Sequence, residues 1–179
     1  MTDENYVTCG SAIKLESADT GYYLNSEEKQ LGSGSGQQIV TFIKDAGARS
    51  TLWWVRPGHT GDEKEYPPEA SCKLAEPITC GSTIRLTHVD TMRNLHSHEV
   101  KSPLSSQQEV TAYGQGDAKG DHGDDWIVEC SGKYWQRDAV FRLVRHARGR
   151  VIMTWTCRTI CKRNATHKNA KSVVCSGPR

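Results

Sequence analysis

No stretch of the chain approaches the ~18 consecutive apolar residues of a membrane helix, so no membrane span is expected. No segment of about 10–15 residues carries the 3.6-residue period of an amphipathic helix. There is no phosphate-binding loop. Gly32-Ser33-Gly34-Ser35-Gly36 is glycine-rich, but it lacks the lysine and the helix start that a phosphate requires, so it is expected to be a turn. There is no nucleophile elbow and no closely spaced second cysteine pair of the zinc-module kind. These absences exclude a helical domain and speak against nucleotide binding and hydrolase chemistry. No enzyme activity, cofactor or metal is expected.

The chain does contain a phrase written twice. Cys9-Gly10-Ser11-Ala12-Ile13-Lys14-Leu15 returns as Cys80-Gly81-Ser82-Thr83-Ile84-Arg85-Leu86, an offset of 71. Val140-Phe141-Arg142-Leu143 is a degraded third copy. Around each phrase the alternation of apolar and polar residues has the period of a strand. Tyr22-Tyr23-Leu24, Ile39-Val40-Thr41-Phe42 and Leu52-Trp53-Trp54-Val55 complete a four-strand unit. In the second copy Leu95 and Val110 fall at matching places. Trp126 aligns with Trp54 at an offset of 72, which marks both as core. Several copies of a short-strand unit that cannot bury its own face point to a closed all-β structure. Threefold closure gives a β-trefoil, a six-strand barrel capped by three hairpins.

The phrases Gly32-Ser33-Gly34-Ser35-Gly36-Gln37-Gln38, Cys-Gly-Ser-x-Ile-Arg-Leu-Thr-His-Val-Asp-Thr, Asn94-Leu95-His96-Ser97-His98 and Asp124-Asp125-Trp126 occur in that order. Together they resemble the stromal cell-derived factor 2 family, whose members are built from three MIR repeats. The resemblance covers about residues 7–147, with repeats near 9–72, 80–130 and from 135 onward. Residues 148–179 read as a divergent basic segment, an altered third repeat. The resemblance implies a β-trefoil of MIR repeats in the endoplasmic-reticulum lumen, or secreted, without catalytic activity. It further implies work in protein folding and O-mannosylation quality control, with luminal Hsp40 and Hsp70 chaperones and client proteins as partners. Family members carry a signal peptide and often a Lys/His-Asp-Glu-Leu-type ending. This chain starts Met1-Thr2-Asp3-Glu4 and ends Ser176-Gly177-Pro178-Arg179. The alternative is a carbohydrate-binding β-trefoil, although the Gln-x-Trp signature of ricin-type lectins is missing.

In a trefoil the first and fourth strands of a repeat are neighbours, so pseudo-symmetry suggests disulfides Cys9–Cys72 and Cys80–Cys130; four cysteines allow other pairings. Cys157, Cys161 and Cys175, with His167, offer a further disulfide, free thiols or, less favoured, zinc. Arg93, Asn94, His96 and His98 are the candidate ligand-binding residues. His96 and His98 share a strand face. With His88 they are the candidates for a metal or a pH response, against a plain surface pair. Asp124-Asp125 reads as a turn before Trp126. Asn164-Ala165-Thr166 is a glycosylation sequon. Residues 137–179 hold eleven Lys/Arg and one acidic residue, whereas the first 136 hold 12 basic and 20 acidic residues. That tail alone does not favour nucleic acid.

Overall fold

A computed structural model describes residues 5–59, 72–114, 120–147 and 150–160. The candidates Asn164, Cys161, His167 and Cys175 lie outside these residues. The structure is all-β: ten antiparallel strands form one sheet, and the described residues contain no α-helix. The first phrase becomes β1 (Ala12–Ser17), followed by the hairpin β2 (Tyr23–Gln30) and β3 (Gln38–Ile43), then β4 (Trp53–Pro57). The second becomes β5 (Thr83–His88), the hairpin β6 (Asn94–Lys101) and β7 (Gln108–Tyr113), then β8 (Trp126–Glu129). The third copy is β9 (Val140–Ala147), answered by a single long strand, β10 (Arg150–Ile160).

Six of these strands close a ring in the order β1, β4, β5, β8, β9, β10 and back to β1. The closing strand therefore lies inside the segment expected to be a divergent tail. β10 pairs with β9 from Ala147 to Val140, and its end pairs with β1, Ser17 facing Cys157 and Lys14 facing Ile160. Closure leaves the ring no free edge.

The offsets of the phrase, 71 and then 57, recur in the main chain. Val7 N–H donates to Trp135 O, Ile78 N–H to Val7 O, and Trp135 N–H to Ile78 O, at 2.8–2.9 Å. This is a closed triangle of three buried, equivalent residues. The glycine of the phrase is explained the same way. Gly10 and Gly81 take φ of +83° and +89°, where a Cβ is costly. Their N–H groups donate to Val55 and Val128 carbonyls. The third copy has Asp138 there, at φ +59°, donating to Thr159 O.

The core fills the barrel with Ile13, Leu15, Trp53, Val55, Ile84, Leu86, Trp126, Val128, Phe141 and Leu143. One expectation is corrected here. Trp126 matches Trp53, not Trp54. Ile13 faces Trp53 and Ile84 faces Trp126 across their strands. Both indole N–H groups donate to a leucine carbonyl, Leu24 and Leu95. Trp54 points the other way, half-buried with Arg56 over its ring. A one-residue slip reverses the face, so an alignment at an offset of 72 instead of 73 places the wrong tryptophan inside. In the third copy the matching residue, facing Phe141, is Cys157.

Two disulfides clamp the ring. Cys9 joins Cys72 and Cys80 joins Cys130, across 63 and 50 residues. Cys157 is a free, buried thiol. Burial, with Asp19 adding to it, pushes the thiol up to about 12, so it stays protonated at neutral pH.

Candidate functional site

The basic residue in the middle of the phrase does different work in each copy. Lys14 is buried and donates to the carbonyls of Ala46 and Ala48, pinning the loop before β4. Desolvation lowers its pKa, partly offset by Asp45. Arg85 is half-buried and donates through Nε to Pro57 O at 2.7 Å. Desolvation lowers its pKa too, opposed by the charges of Asp125 and Asp124. Arg142 is exposed and pairs with Glu129.

Those two aspartates anchor a polar cluster that is special to the second copy. His122–Asp124 form a single 3-10 turn before β8, matching Arg49–Thr51 before β4. Asp121 caps this turn and Asp124 reaches back to the Asp121 N–H, a capping box. In the first copy the place of Asp124 is held by Thr51, whose hydroxyl simply donates to Ala48 O. Asp124 instead is fully buried and accepts from Asn94 Nδ2 at 3.0 Å and His96 Nδ1 at 2.8 Å. Asn94 in turn accepts from the Thr87 hydroxyl at 2.7 Å. Gly123 lies so close that a Cβ there would sit 2.2 Å from the His96 ring. The close approach admits only glycine.

Asp125, the next residue, looks the opposite way. It accepts from the His59 backbone N–H at 2.8 Å and contacts the His59 and His122 rings through Nδ1 at 3.2 Å each. The turn of the second copy is thereby tied to the loop leaving the first. A second tie runs through the hairpins. His98 lies against the His96 ring and contacts Glu109 through Nε2 at 3.2 Å, and Glu109 accepts from Ser35 N–H at 3.1 Å. Burial raises the Glu109 carboxyl, but hydrogen bonds from Ser35 and His98 outweigh it, leaving it below its ordinary value. The Gly-Ser run is thus held by a charged residue of the other hairpin.

Of the candidate ligand-binding residues, the structure brings Asn94, His96 and His98 together. Asn94 and His96 are buried and engaged by Asp124, so His96 and His98 are not a plain surface pair. His98 is half-buried, and Arg93 lies half-buried at the turn between β5 and β6. His88 stands apart, its ring tilted against Trp53 and bonded to Thr91 and Ser50. Burial lowers its pKa, against the Ser50 carbonyl and Asp90. His96, Asp121 and Asp124 place one ligand atom each within 4.8 Å of one another. The 2.8 Å hydrogen bond and the capping box account for that geometry without an ion. Asp124, Asp125, His59 and Glu109 were missed as interacting residues. Only the Asp-Asp doublet before a tryptophan hints at them, because the partners that tie them to other strands and loops lie 11 to 74 residues away.

The pieces define an all-β, disulfide-clamped barrel with a buried polar network in its second repeat and two capping hairpins. Residues 5–177 match the MIR domain family, and the chain belongs to it. It is 43% identical over 150 residues to Stromal cell-derived factor 2 of Bos taurus, covering 84% of this chain and 66% of that protein. The chain thus spans less than two thirds of the length of that relative. It is similar in structure to the SDF2-like protein from Arabidopsis thaliana, with a TM-score of 0.68 and 32% identity, covering 96% of this chain and 94% of the other. A comparable likeness, TM-score 0.67 and 26% identity, is to the S. cerevisiae protein O-mannosyltransferase Pmt1-Pmt2 complex bound to the sugar donor, covering 97% of this chain and 24% of that one. None of the helices among the described residues is long and apolar enough to cross a membrane.

Proposed function

We propose that this chain is a β-trefoil and a non-catalytic accessory protein of the endoplasmic-reticulum lumen. It serves folding and O-mannosylation quality control by holding luminal Hsp40 and Hsp70 chaperones or their clients. The observation that carries this reading is the family itself: relatives at 43% identity named as stromal cell-derived factor 2, and a likeness to a mannosyltransferase complex. The geometry supports a binding part. Asp124 and Asp125 are consumed by internal donors, which suits a rigid platform more than acid–base chemistry. Capture from luminal extract tests it. A DnaJ-type co-chaperone that co-purifies in stoichiometric amount is the expected result, and its absence under conditions that retain other luminal complexes refutes the role.

A second reading, a carbohydrate-binding module, draws on one feature. Trp54 stands half-buried on β4 beside Arg56 and offers an aromatic face of the kind sugars stack on. Specific signals on a glycan array that vanish in Trp54→Ala would favour it.

A further inference from the structure

The two capping hairpins meet edge to edge, but only briefly. β3 and β7 are in register at Gln38 with Ala112 and at Ile39 with Thr111. Both strands run on past this contact, β3 to Ile43 and β7 back to Gln108, without a further registered pair between them among the described residues. Where they part, a groove of about 250 Å³ opens, lined by Ile39, Val40 and Val110 from the strands and by Leu31 and Leu104 from the hairpin loops. Each strand is bonded on its far edge, β3 to β2 and β7 to β6. Among the described residues, no strand covers the edges that face the groove.

We propose that this groove receives an extended, basic peptide segment, which adds as a strand against the parted edges of β3 and β7. This identifies the binding surface of the accessory role above and rests on that reading. Four observations select the occupant. Uncovered strand edges recognise main chain before side chain. The groove walls alternate aliphatic residues with uncharged amides and hydroxyls such as Gln37, Gln107 and Ser105, which suits peptide groups. Among the described residues no aromatic side chain lines it, so a sugar ring finds no stacking face there. The two hairpins also carry four glutamates (Glu27, Glu28, Glu99, Glu109) against two lysines (Lys29, Lys101), although the whole chain is at +2. Glu109 is the charged residue of the lining, and Lys29 is already paired with Glu27. Leu104, 80% exposed at the loop of the second hairpin, gives an apolar residue of the peptide a place to rest.

The test is fluorescence anisotropy with a labelled peptide of about seven residues, one strand length, alternating valine and threonine with a lysine at each end. The full chain is used. Binding should weaken about tenfold when alternate amides are N-methylated, because strand addition needs those N–H groups. It should weaken about fivefold in Leu104→Lys, an exposed position that leaves folding intact, and fall as salt rises. A peptide with glutamate ends should bind less well. Equal binding of the N-methylated peptide overturns the proposal. So does a glycan that competes with the peptide and loses binding in Leu104→Lys, which would make the groove a sugar site. If the peptide fails to bind while a luminal co-chaperone still co-purifies, the groove assignment falls and the accessory role stands. Peptide binding without co-purification supports the groove and counts against the role.

Discussion

Two sides of the barrel and the third follow one plan with different materials. In the first two copies a buried tryptophan, Trp53 or Trp126, faces the isoleucine of the phrase and donates to a leucine carbonyl. Two residues on, Val55 and Val128 are buried, and a glycine takes the left-handed turn. In the third copy these places hold Cys157, Thr159 and Asp138. Thr159 is fully buried, and its hydroxyl has no hydrogen-bond partner among the described residues. The same main-chain bonds are formed, with less apolar volume and a desolvated hydroxyl behind them. Hydrogen-bonded closure tolerates substitution because it is made by the backbone; packing does not, because it is made by side chains.

Four measurements sharpen or break that contrast. The largest effect should come from Trp126→Ala, about 3–5 kcal/mol in denaturant unfolding, against about 1 kcal/mol for Cys157→Ala. Equal losses would mean the third side is packed as well as the second. Removing the Cys80–Cys130 clamp with Cys80→Ser and Cys130→Ser should cost about 4 kcal/mol in the chain-entropy model, given its span of 50 residues. A much smaller loss would mean closure by β10 already restrains the chain. Thr159→Val should stabilise by about 1 kcal/mol, since it restores the valine of the other copies and removes an unsatisfied group. Destabilisation would show that the hydroxyl has a partner in solution.

The smallest effect concerns the tie between hairpins. The Glu109 carboxyl is depressed in the folded state. Its contribution is therefore present above the unfolded value of about 4.3 and lost as pH falls through the folded value. Glu109→Gln should cost on the order of 1 kcal/mol at neutral pH and flatten the acid limb of the stability profile. An unchanged acid limb would separate the first and second hairpins energetically.

The second contrast lies between the first and second copies. Their strands superpose in register, yet the first holds Thr51 where the second holds Asp124. The alternation of residues foretold the strands of both. It could not foretell that Lys14, a polar position by pattern, is 3% exposed, because the carbonyls that receive it come from a loop some thirty residues later. Nor could it foretell that His96 is buried. Its partner Asp124 reaches it only because the 3-10 turn folds over β6.

What the sequence by itself determined was the strands of the first two copies and the repeat. Period-two patterning and a recurring glycine are local instructions, readable in one dimension. It also marked out the cysteines that pseudo-symmetry would bring together, Cys9 with Cys72 and Cys80 with Cys130. What only the tertiary structure decided was which of two adjacent tryptophans faces inward, where the buried carboxylates find donors, and that β10 completes the ring. Each of these depends on register between distant strands. A shift of one residue reverses a strand's faces and cannot be fixed by the strand alone.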